Sequence, residues 1–121
     1  MFIMKEKSWG WLLSMDLHEC DYSLLVNRKK IKEFCHNLCK EIGMVQYGKP
    51  IIKRFGKGKL KGYSFVQFID ASSINAHLDE FGLRAFIDVF SCKPFDFKKA
   101  VEFSKSFFKA KKVKYKNFSR Y

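Results

Sequence analysis

Apolar residues recur with two different periods along this chain, and these periods predict its secondary structure. Every second residue of 11–17 is apolar, which is typical of a strand with one buried face. Residues 24–42 instead place apolar side chains three or four positions apart, which predicts a helix, and Gly43 is suited to end it. Residues 97–108 repeat the helical spacing, with lysines between the apolar positions.

Shorter apolar runs predict the remaining elements, all of them strands. Four lie between the two helices, at residues 45–55, 63–69, 74–78 and 83–90, and one follows the second helix at 112–118. Because short loops join them, we expect antiparallel pairing. The predicted fold class is therefore α+β: a two-layer sandwich of a mostly antiparallel sheet with two helices packed on one face. Residues 1–121 contain no linker-like segment and are expected to form a single domain.

The composition excludes some classes of protein. The chain is 47% apolar and contains 14 phenylalanines, so it can build a core and is not a disordered chain. No apolar run reaches the roughly 20 residues of a membrane-spanning helix, and we expect no membrane partner. The first 20 residues lack the long apolar core of a signal peptide, which predicts a cytoplasmic location.

The net charge of +12 favours anionic partners in general. A lysine-rich solvated surface and a surface for nucleic acid are both consistent with it. The basic residues are spread along the chain, and no zinc-finger, homeodomain or single-strand-binding signature accompanies them, so we do not expect nucleic acid as a partner. The glycine-rich loop at 56–62 matches neither the P-loop nor the dinucleotide-binding pattern and is interpreted as a basic hairpin loop.

Two of the four cysteines lie on the first predicted helix. Cys35 and Cys39 are one helical turn apart, with His36 between them, but no second pair of ligands completes a tetrahedral zinc site. We therefore interpret both cysteines as core residues and expect no metal.

Three residues near predicted strand ends offer candidate chemistry: Ser72, His77 and Cys92. Because the ends of neighbouring antiparallel strands meet, a hydroxyl, an imidazole and a thiol at these positions can share one pocket. Each residue also has an ordinary structural explanation, as a turn-capping serine, a structural histidine and a small buried hydrophobe. Their chemistry alone does not decide between these explanations.

The segments around these residues resemble the small prokaryotic S-adenosylmethionine decarboxylases. That family has Glu-Ser-His, three residues and a second His, and later a strand similar to "AAxDxFTC". Here "ASSINAH" (71–77) and "AFIDVFSC" (85–92) keep the intervals from the serine to the histidine and to the cysteine. The segments "LLSMDLHEC", "KRFGKGKLKGYSFVQFI" and "FDFKKAVEFSKSFFKAKKV" resemble further parts of the family, so the likeness covers about residues 9–115.

The resemblance implies a self-processing decarboxylase that acts on S-adenosylmethionine and supplies the aminopropyl donor for polyamine (spermidine) synthesis. Ser72 Oγ would attack the carbonyl of Ala71, and cleavage of the Ala71–Ser72 bond would leave a pyruvoyl cofactor at position 72. His77 matches the acid/base residue of this processing. Cys92 matches the general acid that reprotonates the decarboxylated substrate. Because members of the family are dimeric, the resemblance also implies a homodimer.

Departures from the family pattern leave alternatives open. Ala71 replaces the family's Glu, and Ser73 replaces its His. The segment 78–80 is one residue shorter than in the family, which displaces Glu80, the match for an acid linked with substrate binding. The same chemistry on another amino acid, such as ornithine or arginine, is therefore one alternative. A non-enzymatic binding or regulatory relative is the other.

Overall fold

The sheet is continuous and antiparallel in the computed structural model, which describes residues 8–70 and 72–121. Within these residues it has six strands, which follow the spatial order β2-β3-β4-β5-β1-β6. The strands are β1 (Gly10–His18), β2 (Ile51–Phe55), β3 (Gly62–Ile69), β4 (Ser72–Asp79), β5 (Arg84–Ser91) and β6 (Lys112–Arg120). All neighbouring strands pair antiparallel. The prediction of an α+β sandwich is confirmed.

Three α-helices accompany the sheet in the described part of the chain, α1 (Tyr22–Leu25), α2 (Arg28–Glu41) and α3 (Phe97–Phe107), and a short 3-10 helix (Gly58–Leu60) lies in the loop between β2 and β3. The helix predicted over residues 24–42 is thus divided into α1 and α2. The reason is local, since the Asn27 side chain accepts a hydrogen bond from the Lys30 backbone N–H at 3.1 Å and caps a new helix. Across residues 8–70 and 72–121, no helix is long and apolar enough to span a bilayer.

Two predicted strand boundaries were wrong. The strand expected over residues 45–55 begins only at Ile51, because Pro50 has no backbone N–H to donate to a ladder. Residues 45–47 pair separately with the far end of β3. The strand expected over 74–78 is longer and starts at Ser72, so this serine lies in the sheet rather than in a turn.

The core lies between one face of the sheet and the apolar stripes of α2 and α3. Its centre is Phe34 of α2, which is fully buried. Its ring lies 4.8–6.1 Å from the ring centroids of Phe65, Phe103, Phe107 and Phe108. Cys35 and Cys39 are buried in the same core, as predicted. The helix layer thus covers what we call the inner face of the sheet.

The opposite, outer face of the sheet mixes polar and apolar side chains. It is formed by alternate residues of each strand, because successive strand side chains point to opposite sides. Its aromatic residues include Phe68 and Phe118, each about half exposed. The edge strand β6 places Lys112, Lys114 and Lys116 on this face, all of them exposed.

We expect Phe34→Ala to lower the free energy of unfolding by about 3–5 kcal/mol, because it leaves a cavity among four aromatic rings. Urea denaturation followed by circular dichroism measures this change. Phe81→Ala is the matched control, since Phe81 is 64% exposed, and it should cost less than about 1 kcal/mol. Equal effects of the two substitutions would contradict this account of the core.

Candidate active site

Ser72 and Cys92 meet at one end of the sheet. The pairing of Ser73 with Phe90 places the start of β4 beside the end of β5. The Cys92 backbone N–H donates a hydrogen bond to Ser72 Oγ at 2.8 Å. Both side chains are partly exposed. A candidate nucleophile is therefore oriented by the residue whose thiol is the candidate general acid.

A cavity of about 580 Å³ opens beside Ser72. Its lining residues come from the end of β3, the start of β4 and the loop before β2: Tyr47, Phe68, Ile69, Asp70, Ser72 and Ser73. Ala71, the other half of the predicted cleavage bond, lies outside the described residues. The residues that precede and follow it in the sequence, Asp70 and Ser72, both line this cavity.

His77 lies elsewhere on β4. It is five residues from Ser72, which is roughly 17 Å along a strand, and an odd separation turns its side chain to the outer face. There Ser64 Oγ and His77 Nδ1 are 2.7 Å apart, because Ser64 and His77 are directly opposite in the β3–β4 register. The expectation that the hydroxyl, the imidazole and the thiol share one pocket of a single chain was wrong.

Ser64 was not among the residues predicted from sequence. The available signal was the hairpin register, because pairing of Ile69 with Ser72 also sets Ser64 opposite His77. A serine and a histidine at hydrogen-bonding distance on one sheet face can exchange or orient a proton. The candidate residues therefore form two separate pairs, Ser72 with Cys92 and Ser64 with His77.

Glu80 follows β4 at the His77 end, far from Ser72 along the strand. Its carboxylate forms a bidentate ion pair with the Arg54 guanidinium, with the shortest N–O distance 2.8 Å. The preceding Asp79 builds the hairpin turn, where its carboxylate accepts hydrogen bonds from Gly82 N and Arg84 Nε. Burial raises the pKa of Asp79, but these hydrogen bonds outweigh it and hold the pKa below its usual value.

The thiols differ in their surroundings. Burial raises the pKa of Cys35 to about 12, and it raises the pKa values of Cys20 and Cys39 to about 11. These three thiols are buried, whereas Cys92 is partly exposed at the edge of the candidate site. The buried thiols are therefore structural, and Cys92 is the one placed to act on a ligand.

The model of the family described as S-adenosylmethionine decarboxylase matches residues 11–121. The chain belongs to this family. No curated protein sequence matches it. The crystal structure of the adenosylmethionine decarboxylase from Aquifex aeolicus superposes with a TM-score of 0.81 at 20% sequence identity, covering 95% of this chain and 92% of that one.

Membership of the S-adenosylmethionine decarboxylase family confirms the family and the decarboxylase class that were predicted from the sequence. The match spans both pairs of candidate residues, since it includes β3, β4 and the end of β5. The structural likeness shows the shared fold. The roles of Ser72, His77, Cys92 and Glu80 stay predictions.

We expect Cys92 to be the first cysteine that iodoacetamide alkylates in the folded protein at pH 8. Alkylation needs a thiolate, and the raised pKa values of the buried thiols keep them protonated at this pH. Peptide mass spectrometry after short labelling times identifies the modified residue. Urea-unfolded protein is the control, in which all four cysteines should react. Labelling of Cys35 as fast as Cys92 in the folded protein would contradict the assignment.

Proposed function

We propose that this chain is a self-processing S-adenosylmethionine decarboxylase whose cofactor, a pyruvoyl group, is made from Ser72. The observation that carries the proposal is the contact between Ser72 Oγ and the Cys92 backbone N–H. It joins the two residues that the resemblance assigns to cofactor and proton donor, beside a cavity large enough for a small-molecule substrate. The residues present therefore fit a pyruvoyl group at position 72.

Processing begins at Ser72. Its Oγ attacks the carbonyl carbon of Ala71, and the acyl group moves from the Ser72 nitrogen to the oxygen. Elimination then breaks the Cβ–Oγ bond, and hydrolysis releases the nitrogen as ammonia. The products are residues 1–71 with a free carboxylate and residues 72–121 with the keto group. The hydrogen bond from Cys92 N–H supports this step by holding Oγ at a fixed position.

A pyruvoyl group supplies an electron sink for the electron pair released when the substrate carboxylate leaves as carbon dioxide. The protein must then return a proton to the substrate carbon. Cys92 is suited to this, because its thiol is partly exposed and its backbone already contacts residue 72. The other three thiols are buried and are not accessible to a substrate.

His77 and Ser64 reach this centre from a second copy of the chain. In a single chain they are separated from Ser72 along β4, whereas Ser72 lies partly exposed at the end of the sheet, where β4 begins. In the proposed dimer two sheets stack face to face, and a two-fold axis passes through the middle of β4. This symmetry places the His77 end of β4 in one copy over the Ser72 end of β4 in the other. Stacked sheets lie about 10 Å apart, which side chains can bridge. We therefore propose a homodimer with two shared sites.

We expect the purified protein to contain two fragments, residues 1–71 and 72–121, with the shorter one beginning with a pyruvoyl group. Intact-mass spectrometry detects both fragments and the loss of the Ser72 amine. Ser72→Ala should remain one uncleaved chain. Cys92→Ala should still be cleaved, yet decarboxylate about 10²–10⁴-fold more slowly, because it lacks the general acid. An intact wild-type chain would overturn the processing step.

We expect Ser72→Ala and His77→Ala chains to complement each other when they are co-expressed. Each variant alone should stay uncleaved, whereas a mixed dimer places an intact His77 opposite an intact Ser72. Distinct affinity tags isolate the mixed dimer, and mass spectrometry shows whether the His77→Ala chain is cut at Ser72. A mixed dimer without cleavage, or a wild-type monomer in analytical ultracentrifugation, would contradict the shared site.

The Arg54–Glu80 ion pair favours a second candidate, the same chemistry on ornithine or arginine. In the family pattern the acid matched by Glu80 is linked with substrate binding, and here it is already paired with a guanidinium. Release of labelled carbon dioxide from S-adenosylmethionine, ornithine and arginine separates the two. Turnover of S-adenosylmethionine alone eliminates the alternative, and that result would also support the predicted role in polyamine synthesis.

A further inference from the structure

The loop between α2 and β2 forms one wall of the cavity beside Ser72. Residues 45–47 run antiparallel to the end of β3, where the Tyr47 N–H donates to Phe68 O at 2.8 Å. This pairing brings the Tyr47 side chain to the cavity, which it lines together with Phe68. Both rings are well exposed, Tyr47 at 76% and Phe68 at 49%. Two aromatic surfaces thus face the space next to the candidate cofactor residue.

A buried amide holds this loop in place. Gln67 of β3 lies in the inner row of the sheet and is fully buried. Its Nε2 donates to Gly48 O at 3.0 Å and to Phe68 O at 2.7 Å, and its Oε1 accepts from Gln46 Nε2 at 3.0 Å. A buried amide is costly unless it is hydrogen-bonded, so its partners are strongly constrained. Gln67 therefore fixes the loop on both sides of Tyr47.

The amide network continues to the helix layer. Because Gln46 Nε2 donates to Gln67, Gln46 Oε1 must be the acceptor toward His36 Nδ1, which lies 2.7 Å away on α2. His36 Nδ1 is therefore the donor in this contact, and the network links the buried amide of β3 to α2.

A separate contact links the same loop to the Cys92 side of the site. Ser91 Oγ donates to Met44 Sδ at 3.7 Å and accepts from the Lys93 N–H at 3.0 Å. The loop is thus attached to β3 by Gln67 and to the end of β5 by Ser91. β3 and β5 are the two strands that pair with β4, the strand that begins at Ser72.

We propose that Tyr47 contacts the non-reacting part of the substrate and determines specificity, and that Gln67 is the positioning residue that sets Tyr47. The inference rests on the proposed function for the identity of the substrate. An aromatic wall favours a substrate with a planar or apolar part beyond the amino acid group, because aromatic rings offer apolar area and a π face to such a part. Tyr47 therefore selects a large substrate such as S-adenosylmethionine over a short one such as ornithine.

Steady-state kinetics of the processed enzyme test this proposal. We expect Tyr47→Ala to raise KM for S-adenosylmethionine about tenfold, with kcat changed less than about threefold, because uniform binding is lost. Gln67→Met keeps the volume but removes the amide, and should raise KM by a similar factor. The double variant should be no worse than Tyr47→Ala alone, since both changes remove the same contact.

A merely structural role for Gln67 gives a different result. The effects of the two substitutions on KM would then be independent and would multiply in the double variant, which would overturn the positioning role. Tyr115→Ala is the control, because Tyr115 is an exposed tyrosine on β6 that does not line this cavity and should leave KM unchanged. An unchanged KM in Tyr47→Ala would overturn the specificity role.

The inference is separable from the proposed function. If the wild-type chain is uncleaved or inactive, calorimetry of that chain with S-adenosylmethionine replaces kinetics. Weaker binding by Tyr47→Ala and Gln67→Met, with unchanged binding by Tyr115→Ala, would support the binding role of Tyr47 even though the proposed function had failed. Equal binding by all variants, or no binding by wild type, would overturn it.

Discussion

The register of β3 against β4 decides where each candidate functional group points. Pairing of Ile69 with Ser72 sets Ser64 opposite His77 and leaves Ser72 beside the end of β5. Because side chains alternate along a strand, a shift by one residue would exchange the two faces. The buried row of the same strands, which packs on α2 through Phe34, holds this register in place. The packing of the core and the geometry of the candidate site therefore depend on the same strand register.

Much of the fold could be predicted from hydrophobic spacing. The order of strands and helices, the buried stripe of α2 with Cys35 and Cys39, and the buried row of β3 all follow from local periodicity. The errors occurred where single residues override periodicity. Asn27 starts a new helix within an apolar stripe, and Pro50 delays the start of β2.

The site was less predictable than the fold because its contacts join distant parts of the chain. The spacing of Ser72, His77 and Cys92 identified the residues, but the predicted strand began only at residue 74. The sequence pattern therefore did not show that Ser72 and His77 share one strand and point to opposite faces. The hydrogen bonds of Gln67 could not be predicted from the sequence, because they depend on where residues 46–48 pack against the sheet.

The lysines of β6 affect how two copies can meet. An edge strand exposes unpaired backbone groups that invite another strand to add beside it. Lys112, Lys114 and Lys116 line the rim of this edge, and two such rims brought side by side would repel each other. Lateral pairing of two β6 edges is thereby discouraged. Part of the excess positive charge of the chain thus protects an exposed sheet edge.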